Sequence, residues 1–408
     1  MDYKQFLDGK RIKFKNHGID ISKDVIHPFL FDYQKDIVKW AIRKGRCSVF
    51  LDTGLGKSYI AAEFARLTRQ NTLMLAPLSV ARQTVRLAKN IDMEIKYVRN
   101  QSEITDDKKV YITNYEMIDH FDFTHFGAIV CDESSLFKSL DGKIRKKLVN
   151  LCKDIPFRLC CTATPAPNDL AEIGNHAEFL GICTHSEMLS MFFIHANIQE
   201  ETTHQNGMVT RKKLGNKHGQ EWRIKNHAYD AFYKWMASWS VSMRKPSDLD
   251  YNDNGFILPA LNIEPLFIES EMDYVPDGEL FFSGVKGFKD AAKVKRFTSN
   301  DRLTETKRIL QENDGQFIIW CWLQSEADLL KKELDDCIEV RGDSAPEYKA
   351  QMIEDFQDGK FRILITKPKI AGFGMNFQNA HNMIFFSLSH SWEMYYQCIR
   401  RMWRFGQA

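Results

Sequence analysis

The chain has 408 residues, 44% of them hydrophobic and 27% charged, and 56 Lys+Arg against 54 Asp+Glu leave a net charge of +2. At ~150 residues per domain that is room for two to three domains with buried cores, which need neither disulfides nor metals to hold together. The near-zero balance neither marks nor excludes a nucleic-acid binder, but a membrane span falls away because no apolar run approaches roughly 18 residues, and so does a secretory signal because the N-terminus (MDYKQFLDGKRIKFKN) is charged throughout.

The predicted elements fall into two stretches that alternate short apolar runs with amphipathic segments. In the first, residues 28–180, the runs are 47–51, 72–76, 110–113, 128–131 and 158–161, with helical spacing between them, as at 59–68. In the second, residues 256–408, the runs are 317–320, 337–340, 362–366 and 383–386, with helical patterns at 325–335 and 347–356. Buried apolar strands alternating with helices predict parallel sheets covered on both faces. The fold class is therefore α/β: two parallel-sheet lobes, an N-terminal extension over 1–27, and an inserted helical and hairpin region over 181–255. That insertion holds the basic run RKKLGNKHGQEWRIKNH at 211–227, which reads either as a solvated basic hairpin or as one reaching towards a duplex, with Gly215-Asn216 at its turn. Phe232, Trp235 and Trp239 follow at helical spacing and read as core. The nine cysteines are scattered with no C-x-x-C pair, as expected of free thiols in a reducing cytoplasm. Cys183 and His185 alone do not make a zinc site.

The segment SVFLDTGLGKSYIAAEFA reads as strand, Gly-rich loop and helix. Gly54 and Gly56 let the backbone of Thr53, Gly54, Leu55 and Gly56 turn its amides towards a phosphate. Lys57 would reach the β- and γ-phosphates, and Ser58 would offer its hydroxyl to Mg²⁺. Leu51 stands where the first glycine of G-x-x-x-x-G-K-[ST] belongs. A glycine turn with an exposed lysine shares these residues, but the flanking strand and helix are the context a phosphate loop requires. Further on, GAIVCDES ends an apolar strand in Asp132-Glu133. A carboxylate at the carboxyl end of such a strand faces the crevice where a nucleotide sits. Asp132 would hold Mg²⁺, and Glu133 would orient and deprotonate the attacking water. By itself Asp-Glu after a strand is an ordinary solvated turn; the phosphate loop in the same lobe gives it a role.

In order, these blocks resemble the superfamily 2 helicases and translocases of the SWI/SNF type. Tyr33-Gln34 in FDYQKDIVKW resembles the adenine-reading Q segment, LDTGLGKS motif I, APLSVARQ motif Ia, and ITNYE the Ib-region strand. CDESSLFKS resembles motif II and CTATPAPND motif III. Leu258-Pro259 and an alternating strand after it resemble the opening of the second lobe. TKPKIAGFGMNFQNA resembles motif V, and QCIRRMWRFGQ motif VI in its Q-x-x-x-R-x-x-R-x-G-Q form. The resemblance implies RecA-like lobes and an ATP hydrolase that uses ATP and Mg²⁺. It also implies DNA, duplex or branched, as a partner gripped without regard to sequence.

Motif VI would supply Arg401 and Arg404. A guanidinium fork donates bidentately to the γ-phosphate oxygens and keeps its charge, and a spacing of three would put both on one helical face. They come from the second lobe, whereas Lys57 and Asp132 come from the first, so hydrolysis is expected only when the lobes close. Thr162, Thr164 and Gln397 would couple the site to movement. Ser79 and Arg82 of motif Ia, Thr113 of the Ib-region strand, and Lys367, Ala371 and Gly372 of motif V would meet phosphates. The expected activity is translocation on DNA in recombination, repair, branch migration or fork remodelling, by a compact bacterial or phage protein in the cytoplasm. Two alternatives stand beside it: the motor subunit of a restriction-modification system, and a non-motor ATP switch that binds nucleic acid. The presence of Lys57, Glu133, Arg401 and Arg404 weighs against the switch. The chain ends one residue past motif VI, where related lobes continue, so a further C-terminal tail is expected.

Overall fold

The computed structural model describes residues 16–105, 109–138, 142–195, 199–205, 208–214, 222–269, 287–371, 375–389 and 391–407. The chain divides into two compact units, residues 1–253 and 254–408.

The first unit opens with α1 (Asp32–Lys44), whose buried face carries Tyr33, Gln34, Ile37, Val38, Ala41 and Ile42 at helical spacing. Then come β1 (Arg46–Leu51), α2 (Lys57–Thr68), β2 (Thr72–Leu75), α3 (Leu78–Ala88), β3 (Ile95–Tyr97) and β4 (Val110–Thr113). The next are β5 (Ala128–Asp132), α4 (Gly142–Leu151), β6 (Phe157–Thr162), α5 (Ile173–Leu180), α6 (His185–Phe192) and β7 (Phe193–His195). The rest are β8 (Gln199–Gln205), β9 (Met208–Leu214), β10 (Trp222–Ile224), α7 (Tyr229–Ala237) and β11 (Ser240–Met243). Seven strands form one sheet in the order β11-β1-β6-β5-β2-β4-β3, and every pairing in it is parallel. β1, β6 and β5 are thus neighbours running the same way. Their carboxyl ends bring the glycine loop, the Thr162 loop and the acidic pair to one edge of the sheet.

The stretch that composition sets apart contributes to this unit. β11 pairs with β1 from Ser48 opposite Ser240 to Leu51 opposite Met243. Phe232, Trp235 and Trp239 are buried in the same core as Phe50, Tyr115 and Phe137, as their spacing implies. A hairpin is described just before the expected turn. Its strands are β8 and β9, antiparallel with Gln205 opposite Met208, so the intervening residues are Asn206-Gly207; Gly215-Asn216 lie outside the described residues.

The second unit contains α8 (Gly287–Phe297), α9 (Ser299–Glu312), β12 (Phe317–Trp320), α10 (Gln324–Glu333), β13 (Cys337–Val340), α11 (Pro346–Gln357), β14 (Ile363–Thr366), α12 (Pro368–Ala371), β15 (Asn382–Phe385) and α13 (Trp392–Met402). Its sheet runs β13-β14-β12-β15, all parallel. β12 is apolar on both faces: Ile318 and Trp320 join one core and Phe317 and Ile319 another. That double burial is why the strand reads as an unbroken apolar run. The alternating strand expected after Pro259 does not form over 260–269, where no residue has a ladder partner and Phe267 is 93% exposed. Both units have the parallel α/β architecture of RecA-like lobes. Among the described residues no helix is long and apolar enough to cross a membrane.

Candidate active site

The glycine loop leaves β1 and enters α2 through Gly54 at φ 90° and Gly56 at φ 77°. Gly56 is the residue before the helix, and a Cβ on it would run into the Gln34 amide, so glycine is required there for conformation and for space. Gln34 grips the loop: its Nε2 donates to the Leu55 carbonyl at 3.1 Å, and Tyr33 donates to the same oxygen at 3.1 Å. The Gln34 Oε1 accepts from Phe31 N–H at 2.9 Å. Here the Q-segment amide is engaged with the loop and its own helix start. The Thr53 N–H donates to Asp52 Oδ1 at 2.7 Å. Lys57 Nζ donates to the Leu51 and Asp52 carbonyls at 2.9 and 3.2 Å. Ser58 follows, half-buried, in the first turn of α2.

Asp132 is the last residue of β5 and is buried. Its Oδ1 accepts from Glu133 N–H at 2.9 Å, and its carbonyl accepts from the Tyr115 hydroxyl at 2.8 Å. Burial, and then the neighbouring Glu133 carboxylate, push the Asp132 pKa up to about 7, against the pull of the Lys57 ammonium. Lys57 and Asp132 therefore sit in each other's field. Glu133 is buried at φ 50°, a backbone conformation that costs a non-glycine residue of order 1 kcal/mol or more and that gathers at functional sites. Its Oε2 is buried with no hydrogen-bond partner. A buried carboxylate oxygen without a donor is costly, which fits a position built to meet a group that substrate brings.

The donor set suits Mg²⁺. Among the described residues no three or more His, Cys, Asp or Glu cluster into a metal cage. Mg²⁺ is ordinarily held by one or two carboxylates with substrate phosphates and water, and the Asp132 carboxylate and Ser58 hydroxyl are donors of the types it takes.

Behind the pair lies a contact that the sequence did not announce. Ser134 donates its hydroxyl hydrogen to the Cys161 carbonyl at 3.2 Å, and its oxygen lies 3.0 Å from His176 Nε2. The hydroxyl's one hydrogen is thus used, so His176 is the Nε2–H tautomer donating to it. His176 comes from α5 and is edge-on to Phe50. It ties the turn after the acidic pair to the end of β6, where Thr162 Oγ1 accepts from Thr164 N–H at 3.1 Å. Burial pushes the His176 pKa down to about 3 from an ordinary value near 6.5. Between those values the unfolded chain takes up a proton that the native state refuses, so this residue removes stability as pH falls through the window. His176→Gln keeps a donor for Ser134 and should flatten that component. Urea midpoints measured from neutral pH downward check it; wild type and variant losing stability in parallel would contradict it.

Motif VI is positioned by α13. Gln397 and Arg401 are buried, and the Arg401 Nε donates to the Gln397 carbonyl at 2.9 Å while its Nη2 donates to Gln397 Oε1. Arg401 Nη1 and Arg404 Nη1 both donate to the Met375 carbonyl, each at 3.3 Å. The pair is adjacent, but not as one helical face: α13 ends at Met402. Arg404 stands past it, half-buried, in a turn closed by Gln407 N–H to the Arg404 carbonyl at 3.2 Å.

The expected phosphate contacts divide. Ser79 and Arg82 lie on α3, Arg82 half-buried, and Lys367 is half-buried after β14. Thr113 and Ala371 both have 0% exposure, and the Ala371 N–H donates to the Lys367 carbonyl at 3.1 Å. Gly372 lies outside the described residues.

Residues 33–214 match the sequence profile of the SNF2-related domain, and residues 301–406 that of the helicase conserved C-terminal domain. The chain is thus an ATP-hydrolysing, DNA-dependent enzyme of the helicase class. Within that class the two domains together are those of an SNF2-type superfamily 2 helicase. No curated protein sequence matches it. Among solved structures, the Sulfolobus solfataricus SWI2/SNF2 ATPase core in complex with dsDNA is similar at 17% identity and a TM-score of 0.44, over 89% of this chain and 82% of that one.

Proposed function

We propose that the protein is a DNA translocase, which spends ATP hydrolysis on moving along duplex or branched DNA without reading sequence. The observation that carries the reading is the buried carboxylate oxygen of Glu133, left without a donor beside Asp132 and Lys57 at the end of a glycine loop. In this reading the loop amides and Lys57 hold the phosphates, and Glu133 orients and deprotonates water. Asp132 and Ser58 hold Mg²⁺, which when bound neutralises phosphate charge. Arg404 donates to the γ-phosphate oxygens as negative charge spreads over them, and Arg401 braces the carbonyl that both arginines share. Support for a motor comes from the division of these groups: Lys57, Asp132 and Glu133 belong to the first unit, Arg401 and Arg404 to the second. Support for DNA as the track comes from the SNF2-related and helicase C-terminal domains. Thr162, Thr164 and Gln397 would relay between site and track, with Ser79, Arg82 and Lys367 as contacts to phosphate. Recombination or repair, through branch migration or fork remodelling, is the role this activity would serve.

The test is the ATPase rate with and without duplex DNA, alongside displacement of a third strand from a triplex. Duplex should raise the rate severalfold, and triplex should be displaced only with hydrolysable ATP. A rate indifferent to DNA would remove the motor.

A further inference from the structure

Trp403 and Phe405 flank Arg404, and the reading above gives neither a task. The Trp403 indole N–H donates to the Pro259 carbonyl at 2.8 Å. The Phe405 ring stacks on Phe256 with centroids 4.6 Å apart and planes at 28°. Phe256 and Pro259 lie in the segment that opens the second unit, just past its boundary at residue 254. From 259 to 269 that segment is exposed at every residue and has no helix or strand. Two aromatic contacts therefore tie down an otherwise irregular stretch, and they fall on either side of one arginine. The Arg400 guanidinium, 4.9 Å from the Trp403 ring, backs the indole. The turn itself is tight: Gly406 at φ 87° takes its third position, as a type II turn demands. Gln407 Nε2 then donates to the Ala380 carbonyl at 3.3 Å.

A transition-state guanidinium must be held within about 0.5 Å of its working place. Arg404 stands beyond the helix end, in the turn that Gln407 closes. We propose that Trp403 and Phe405 are positioning residues for Arg404. By gripping residues 256–259 they fix the turn that aims the guanidinium, and they make the incoming chain the handle that sets it. The inference rests on reading Arg404 as the arginine of hydrolysis.

The experiment measures kcat and KM for ATP in Phe405→Ala and Phe256→Leu, each made in the wild type and in Arg404→Ala. Each single variant should lower kcat about tenfold and leave KM within about twofold. Neither should lower the residual rate of Arg404→Ala, because a residue acting through Arg404 has nothing left to act on. Phe405→Tyr keeps the stacked ring and should keep the rate. Should Phe405→Ala fail to fold, Phe256→Leu carries the same question from the facing ring. Full kcat in Phe256→Leu beside an inactive Arg404→Ala would overturn the clasp and leave the arginine's role intact. An equal fall in both backgrounds would overturn it too, since the rings would then act elsewhere. A fully active Arg404→Ala would instead sink the reading of Arg404, and the clasp with it.

Discussion

Lys57→Ala should abolish turnover, lowering kcat by at least about 10²–10³-fold, the cost of losing one strong electrostatic donor at developing charge. Two effects add. The first is direct: the ammonium that now folds onto the Leu51 and Asp52 carbonyls is the group available to swing onto phosphate. The second runs through Asp132. Its pKa, pushed up to about 7 by burial and Glu133, is held down by Lys57. Without that ammonium the acid keeps its proton at neutral pH, and a protonated carboxyl is a poor ligand for Mg²⁺. The variant should therefore need more Mg²⁺ as well as turning over more slowly, and titrating Mg²⁺ at fixed ATP separates the two effects. Lys57→Arg should restore the Mg²⁺ requirement while leaving kcat low, because a fork does not replace a point charge on phosphate. Wild-type turnover in Lys57→Ala would take the phosphate loop out of the mechanism.

The two arginines of motif VI should part company. Arg404→Ala should lower kcat by about 10³-fold, the lower bound for an arginine that stabilises phosphoryl transfer. It should cost little stability, because Arg404 is half-buried beyond the helix end. Arg401→Ala should cost stability as well, on the order of 3 kcal/mol, since it strips a buried partner from Gln397 Oε1 and leaves a hole beneath Met375. Arg401→Lys should recover neither, as a single ammonium cannot replace three N–H groups that point at Gln397 and Met375. Thermal melts alongside nucleotide binding and hydrolysis check this. Equal melting temperatures for the two alanine variants would show that Arg401 is not the brace its contacts describe.

Much of this molecule was readable in its residues, and the reason is periodicity. Runs such as 317–320 are apolar on both faces, which only a doubly covered parallel strand requires, and both sheets follow. The glycine loop and acidic pair were legible because their chemistry demands particular residues next to a strand end. What escaped depended on contacts across sequence. Ser240–Met243 is a short, half-polar run, and nothing local says that it lies beside β1. His176 is one histidine among twelve, and its bond to Ser134 exists only once α5 packs behind β5. Thr113 and Ala371 sit in blocks assigned to phosphate contact, but the pleat and the helix turn them inward. Arg404 was assigned to a helical face because spacing cannot reveal where a helix stops.

The place of β11 in the first sheet has a consequence for how the protein is made. β1 is flanked by β6 on one side and on the other by a strand that begins at residue 240. While the chain emerges from the ribosome, the nucleotide-binding half cannot complete its sheet until more than half of the protein has been synthesised. The edge of β1 must wait, with Trp239 not yet in its core. Long-range parallel pairing of this kind is slow and exposes edges that invite aggregation. A fragment cut at residue 180 would preserve that exposed edge permanently, and one carried to residue 253 would close it. Anyone dissecting the two halves should therefore cut after 253.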